Sequence, residues 1–390
     1  MKKVLMVATV ASMIGQFNMD NIEILQKLGY KVYVACNMDD NSVWPNERIN
    51  SFKQSLNEKN IKYFNLNFSR NPLNLKSNIN AYQQILNVIK NEKIDLIHCH
   101  TPVGGVVSRL AAHKMNIKVI YTAHGFHFYK GASIKKWMLF FPIEKILSRW
   151  TDVLITINSE DYKLAMKRFK AKRIEYVPGV GIDIKKNQLN TVNRTEKRKE
   201  LGLKDNDILI LSVGELSERK NHKEVIQALA ELKSMNGFEH IQYYICGKGL
   251  LLNELESLAR KLNIDEHIHF LGFRTDVKEL CQIADLYIFP SFQEGLPVAL
   301  MEAIANKAPV ICSQIRGNED LVLNSADMFS AFDYQTLVEV LKRVCIAENC
   351  INRNAIEQSM QEDIEVNYKN LSRFDIACVE EKMNKIYNEI

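Results

Sequence analysis

Short, uninterrupted apolar runs, each closed by a glycine or a polar turn, recur along the whole chain. Runs at residues 4–8, 31–36, 61–66, 95–100, 118–123, 152–157 and 173–177 precede a break at 178–183. Further runs at 208–213, 241–246, 267–271, 285–289 and 308–312 follow it. Apolar runs without polar alternation suit strands buried on both faces, as in a parallel sheet covered by helices. The covering helices are also legible: over 75–89, Ile79, Tyr82, Ile85, Leu86 and Ile89 recur at helical spacing. Strand alternating with helix constrains the chain to an α/β, doubly wound architecture.

At 390 residues the chain is too long for one ordinary core, so two such domains are expected. The spacing predicts an N-terminal Rossmann-like domain at 1–180 and a second at 181–370. A helix at 371–390 is free to pack back on the first. Pro178-Gly179-Val180-Gly181 and the polar, basic stretch 185–198 mark the boundary and a hinge.

Composition narrows the class. With 46% apolar and 25% charged residues the chain is of soluble globular type. No apolar run reaches the roughly 20 residues needed to span a bilayer. Residues 1–8 mimic a signal peptide but continue into Gln16, Asn18, Asp20 and Asn21, so they read as a first strand and a cytoplasmic location is expected. Of eight cysteines, Cys36, Cys99, Cys246, Cys281 and Cys312 lie in or beside apolar segments, and no CxxC occurs; buried free thiols are expected. A net charge of +5 favours phosphorylated ligands or an anionic membrane surface and does not argue for nucleic acid.

In doubly wound folds the chemistry gathers at the carboxyl ends of the strands. Gly15, in a loop expected after the first run, would admit a ligand to the backbone. No GxGxxG accompanies it, which argues against nicotinamide and flavin cofactors. His100 closes one run, and His124, His127 and Lys130 follow the next. These histidines lack HxxxH or HExxH spacing and an acidic partner, so a site for hydroxyls is preferred over a metal. Residues 134–150, with Lys135, Lys136, Trp137, Phe140 and a central Pro142, read as a helix-break-helix pair or as a basic, aromatic surface that docks on a membrane. The first reading is the expectation.

The second half repeats the logic. Gly214 with Arg219 and Lys220, Gly247-Lys248-Gly249, Gly272-Phe273-Arg274, and a turn holding Glu294 stand at four strand ends. Pro297 opens a helix that carries Glu302. Free N–H groups and the helix dipole make such a turn an anion site. Asp205-Asn206-Asp207 matches a metal-holding DxD but precedes its strand, so it reads as a turn.

With these motifs the chain resembles the retaining glycosyltransferases of family 4, whose GT-B fold has two Rossmann-like domains facing a central cleft. Glu294 and Glu302 match the family's E-x7-E pattern inside Pro-Ser-x-x-Glu-Gly-Leu-Pro…Glu-Ala. Thr122-Ala123-His124-Gly125, Gly214…Lys220 and the glycine loops support it over nearly the whole chain. The likeness is nearest to bacterial capsule and exopolysaccharide enzymes. It implies that Glu302 holds the ribose hydroxyls of a nucleotide sugar, with UDP the usual carrier. Glu294 and His124 would address the transferred sugar. Lys220, with the backbone N–H groups of Gly295, Leu296 and Pro297, would neutralise the departing diphosphate without a metal. Gly15, Gly214, Gly247 and Arg274 complete the implied donor site. His100, His127 and Lys130 frame the acceptor, a glycan or a polyprenyl-diphosphate-linked sugar at an anionic membrane. Where the family commonly has Arg after the first glycine this chain has Glu215, and Arg219 is the expected substitute cation. Front-face transfer is favoured. A nucleotide-sugar epimerase and a two-lobed sugar-binding protein are the rival readings.

Overall fold

Thirteen parallel strands in two sheets organise the computed structural model, which describes residues 1–187 and 192–390. The first sheet holds β1 (Lys3–Val10), β2 (Lys31–Asn37), β3 (Lys62–Asn65), β4 (Leu96–His100), β5 (Lys118–Ala123), β6 (Val153–Thr156) and β7 (Arg173–Tyr176), in the order β3-β2-β1-β4-β5-β6-β7. The second holds β8 (Ile208–Val213), β9 (Ile241–Cys246), β10 (Ile268–Gly272), β11 (Leu286–Phe289), β12 (Val310–Ser313) and β13 (Met328–Phe329), in the order β10-β9-β8-β11-β12-β13. Each sheet reverses its strand order once, between β1 and β4 and between β8 and β11. Ligands of open α/β sheets bind outside the carboxyl ends of the strands at such a reversal. The segments after these four strands are therefore the positions of interest.

The core explains the continuous apolar runs. Alternate residues of β1 enter different clusters: Val4, Met6 and Ala8 pack with Ile22, Leu25 and Val379, while Leu5 and Val7 pack with Ile85, Ala111 and Phe128. In β8, Ile208 and Ile210 face Val225 and Leu229, and Leu209 and Leu211 face Leu300 and Ile304. Both faces of β1 and β8 are buried by helices, which is why their runs are apolar without alternation. A buried polar residue such as Ser212 is held by a hydrogen bond, here to the Ile288 carbonyl at 2.6 Å. All the described cysteines are free, and Cys36, Cys99, Cys246, Cys281 and Cys312 are buried.

The chain divides into a unit of Met1–Gly181 with Ile376–Ile390 and a unit of Ile182–Asp375. In the first unit the last helix, Ile376–Glu389, buries Val379, Met383, Ile386 and Tyr387 along one stripe and packs on helix Met19–Lys27. The linker expected at 185–198 falls partly on residues 188–191, outside the described residues. Its remainder is not a free linker: Ile184–Asn187 and Arg194–Glu200 are helical. Asp285, buried at the head of β11, takes Arg194 and Arg198 as counter-charges, with Arg198 Nη1 at 3.0 Å. A buried carboxylate needs such partners, and this ties the basic stretch to its own unit. Asp207 caps the Lys204 N–H at 2.8 Å, a turn ahead of β8.

Residues 134–148 depart from the helix-break-helix expectation. They form one helix, Ile134–Ser148, with Pro142 inside it. Proline removes only the bond to the Met138 carbonyl, and an exposed helix face leaves that carbonyl to water. Among the described residues no helix is long and apolar enough to cross a membrane.

Candidate active site

In the second unit, β11 ends in a turn that leads into helix Val298–Ala305. Pro297 takes the N-cap position in extended backbone rather than the first helical position expected. Proline has no N–H, so of Gly295, Leu296 and Pro297 only the first two can donate to an anion. This corrects the three-donor reading of that stretch.

Glu294 lies at the meeting point of three strand-end loops. Its Oε1 accepts from Lys220 Nζ at 2.7 Å and from Arg219 Nη1 at 2.7 Å. Arg219 also donates to the Gln293 carbonyl at 3.2 Å, and the Phe292 N–H donates to the Arg219 carbonyl at 2.8 Å. From the loop after β12, buried Arg316 donates to the Glu294 carbonyl at 2.9 Å. Next to it Gly317, at φ +80°, approaches Gly295 so closely that a Cβ would stand 2.4 Å from the Gly295 carbonyl oxygen. The turn is thus fixed by side chains from the loops after β8 and β12.

Lys220 is largely buried, its ammonium 4.6 Å from the centre of the Phe289 ring. Burial lowers its pKa, against the attraction of Glu294. Its aliphatic chain lies on Gly214, where a Cβ would sit 3.1 Å from Lys220 Cδ. Gly247 and Gly249 allow neighbouring loops to close on this one: a Gly247 Cβ would meet the Gly214 carbonyl oxygen at 1.8 Å, and a Gly249 Cβ the Leu216 carbonyl oxygen at 2.2 Å. These glycines serve loop-on-loop packing. Glu302, in the second turn of its helix, is half-buried, and burial raises its carboxyl pKa while Lys278 opposes the rise.

Arg274 is placed differently. It donates to Asp276 at 2.8 Å and to Glu200 at 3.1 Å, and Asp276 also binds Lys197 at 2.6 Å. Its guanidinium is engaged in a surface ion network, so the structure does not group it with Glu294.

In the first unit the strand ends deliver a line of imidazoles. His98 bridges Tyr387 Oη at 2.7 Å and Thr122 Oγ1 at 2.8 Å. Its ring centre lies 4.2 Å from that of His100. His100 Nε2 meets the Met6 thioether at 3.1 Å, and its Nδ1 meets His124 Nε2 at 3.1 Å. A thioether only accepts, so His100 carries its proton on Nε2 and its Nδ1 accepts from His124 Nε2–H. His124 Nδ1 is then left as an acceptor. Burial holds the His98 pKa down to about 3 and that of His124 to about 4, with His100 well below its usual range. All three are neutral at physiological pH. A cavity of about 30 Å³, bounded by Asp20, Asn21, His100, His124 and Glu380, adjoins them.

His127, expected beside His100, is elsewhere: its ring stands edge-on to Phe140 at 4.7 Å. Lys130 is exposed, its backbone N–H donating to Glu160 at 2.8 Å. Gly15 is not in a loop. It lies inside helix Ala11–Phe17, and a Cβ there would stand 2.6 Å from the Trp44 ring and 2.9 Å from Phe52. Its smallness seats that helix against two aromatic rings. Among the described residues no cluster of three or more ligating side chains could hold a metal.

Three residues of this edge escaped the sequence reading. His98 and Tyr387 are joined only by the returning C-terminal helix. Thr101, directly after β4, has φ +66° and ψ +152°, a region that side chains other than glycine rarely enter and that costs roughly 1–3 kcal/mol. Its hydroxyl lies 2.6 Å from that of Thr9, at the end of β1. The strained residue therefore sits at the reversal point of the sheet.

The family description "Glycosyltransferase Family 4" matches residues 16–186, and "Glycosyl transferases group 1" matches residues 193–360. The chain is similar to EpsD of Bacillus subtilis strain 168, a protein named as a glycosyltransferase: 33% identity over 333 residues, covering 84% of this chain and 83% of EpsD. It is 30% identical over 298 residues to the Escherichia coli UDP-Gal:alpha-D-GlcNAc-diphosphoundecaprenol alpha-1,3-galactosyltransferase, covering 72% of this chain and 74% of that one. Among solved structures, Anabaena HepE in complex with UDP matches with a TM-score of 0.75 over 100% of both chains at 18% identity. WaaG, a glycosyltransferase involved in lipopolysaccharide biosynthesis, matches with a TM-score of 0.68 over 98% of this chain and 99% of its own, at 20% identity. At such identities the structural likeness establishes the fold, GT-B.

Proposed function

The chain belongs to glycosyltransferase family 4, and from that premise we propose that it moves a sugar from UDP to a hydroxyl of a lipid-linked glycan during surface polysaccharide synthesis, retaining configuration at the sugar carbon. One observation carries the reading: Glu294 is shared by Lys220 and Arg219 beside a helix start. A diphosphate on these loops would take both cations as its counter-charges, with the Gly295 and Leu296 N–H groups adding to them. Glu294, relieved of its ion pairs, would then accept from hydroxyls of the transferred sugar. Glu302 would hold the ribose hydroxyls. His124, with Nε2–H directed at His100, presents Nδ1 as an acceptor for a sugar hydroxyl.

In the transfer step the bond from the sugar carbon to the phosphate oxygen breaks. The acceptor oxygen bonds to the same face of that carbon, and its proton passes to the departing phosphate oxygen. Side-chain cations carry the charge in this scheme, and no divalent ion is assigned a role. The UDP carrier is supported by HepE, solved with UDP, and the lipid-linked acceptor by the E. coli relative named for diphosphoundecaprenol. The working location is the inner face of the cell membrane.

The test is to incubate purified protein with a panel of UDP-sugars, with and without a polyprenyl-diphosphate-linked glycan, in EDTA. Acceptor-dependent UDP release that persists in EDTA is the expected result. A donor altered without acceptor would instead mark an epimerase, and turnover that vanishes in EDTA would overturn the metal-free scheme.

A further inference from the structure

Directly after Lys220 the chain enters helix His222–Glu231 through Asn221, whose φ of +53° turns the backbone sharply. His222, the first helical residue, is 2% exposed. Its Nδ1 lies 3.3 Å from Tyr243 Oη on β9. Tyr243 Oη is 2.9 Å from Ser212 Oγ on β8, and Ser212 Oγ is 2.6 Å from the Ile288 carbonyl on β11. The start of this helix is therefore tied to three neighbouring strands by one buried relay.

The far end of the relay fixes each proton in it. A carbonyl only accepts, so the Ser212 hydroxyl donates to Ile288. Tyr243 then donates to Ser212, and its oxygen accepts from His222 Nδ1–H. A neutral His222 is left with a bare lone pair on Nε2. That atom is buried and has no partner among the described residues, so it forfeits its hydration. The backbone groups that act on the ring are the Gly214 and Glu215 carbonyls, which are acceptors too. A second proton, on Nε2, would satisfy ring and carbonyls together.

Burial opposes that proton and holds the His222 pKa down to about 4; Lys220 adds to the lowering, and the two carbonyls resist it. Lys220 comes from the preceding loop, with Glu294 as its ion-pair partner from the turn after β11. From β9 the ring meets Tyr243, whose phenol is kept protonated by burial. Glu224, on the same helix, accepts from Asn221. Lys220 is accordingly the charge that repels a proton from the ring, and a diphosphate would offset it.

We infer that His222 is a positioning residue that takes up a proton on Nε2 when a nucleotide diphosphate binds beside Lys220. The inference rests on the UDP-sugar reading and adds a proton-linked device to that donor site. Incoming phosphates bring negative charge to Lys220 and so favour the charged ring. With both nitrogens donating, the imidazolium ties Tyr243 to the Gly214–Glu215 backbone. The aliphatic chain of Lys220 rests on Gly214, so this brace holds the ammonium in place. The proton comes from water and returns to it when UDP leaves; it takes no part in the transfer itself.

The test counts protons. UDP binding to the full chain is followed by calorimetry at pH 5.0 in buffers of small and large ionisation enthalpy. Wild type is compared with His222→Asn, which retains an N–H at the position of Nδ1 and has no Nε2, and with Tyr243→Phe. Phenylalanine removes the acceptor of Nδ1–H, so the ring can carry its one proton on Nε2 and needs no second. Tyr243→Phe also keeps the imidazole and the ring packing, and it carries the comparison alone should His222→Asn not fold. Protons titrating on UDP, Glu294 and Glu302 are common to all three proteins and cancel. Wild type should take up roughly 0.3–0.5 proton more per UDP than either variant. Equal counts in the three proteins, with UDP bound, would overturn the inference and leave the UDP-sugar reading standing. An uptake kept by Tyr243→Phe would overturn it as well, because the relay would then not set the ring. No UDP binding to a cooperatively folded wild type would remove the donor reading, and this device with it.

Discussion

Glu294 Oε1 and the Lys220 ammonium stand 2.7 Å apart, although 74 residues separate them in sequence. Arg219 reaches the same oxygen, yet the two cations are not equivalent: Lys220 is 12% exposed in its side chain and Arg219 46%. A charge removed from water acts on a developing phosphate charge with less screening.

Lys220→Ala should therefore lower kcat by roughly 10²- to 10³-fold, the scale of losing one preorganised stabiliser. Arg219→Ala should cost less than about tenfold, because exposed ion pairs are worth little. Steady-state kinetics at two ionic strengths separates them: only the Arg219 contribution should shrink at high salt. An Arg219→Ala enzyme with unchanged donor KM and kcat would end its role as the substitute for the arginine missing at Glu215.

The two glutamates should fail in different ways. Glu294→Gln is expected to leave UDP affinity within about threefold while transfer falls by three orders of magnitude or more. Glu302→Gln should weaken UDP binding about tenfold, the worth of a charge-assisted hydrogen bond. Burial raises the Glu302 carboxyl, so wild-type UDP affinity should decline as pH drops through that raised pKa, and the Gln variant should not follow. Calorimetric titration across pH 4–8 reads both effects. Equal loss of UDP affinity in the two variants would refute the division of labour.

Because burial keeps His98, His100 and His124 neutral, the kcat profile should show no imidazole limb near pH 6.5. Tyr387→Phe removes the partner of His98 Nδ1 and leaves a buried polar atom unpaired, at about 1–3 kcal/mol. In that variant kcat should fall while UDP affinity, set in the other unit, stays unchanged. A titration near pH 6.5 that disappears in His124→Asn would show that the imidazole charges in the working enzyme.

The second unit should carry a pH-dependent stability term at Glu224, which is buried in the first turn of helix His222–Glu231. Burial raises its pKa from 4.5 to about 7, with Asn221 opposing the rise. The protonated form favours folding, so this contribution is full below pH 4.5 and is lost as pH rises through about 7. Glu224→Gln should accordingly stabilise the protein by about 2–3 kcal/mol at pH 8 and by nothing at pH 4. Urea unfolding at the two pH values checks it. A gain that is the same at both would mean that packing, and not ionisation, separates the variants.

What was legible in the chain follows from local rules. Strands buried on both faces are mostly apolar, so the runs at β1, β4, β8 and β11 announced the doubly wound sheets even with His98 and His100 inside β4. The eight-residue step from Glu294 to Glu302 spans one turn and one helix start, and that spacing survives in the sequence. The glycines were harder. Gly214 and Gly247 were expected beside a ligand and lie against Lys220 and a neighbouring carbonyl, while Gly15 was expected in a loop and lies under Trp44. A missing Cβ records that something comes close, but the sequence does not say what.

By itself the sequence determined which segments become strands, which turns end them, and which ionisable residues those turns carry. Tertiary structure alone decided who meets whom. The order of strands in each sheet brings the loop of Lys220 beside that of Glu294, and the returning C-terminal helix sets Tyr387 on His98, 289 residues away. It also drives Thr101 into a backbone region that its own side chain disfavours. The Glu294–Lys220, Tyr387–His98 and Thr9–Thr101 pairs are non-local, and their energies come from burial and charge, which exist only once the sheets have formed.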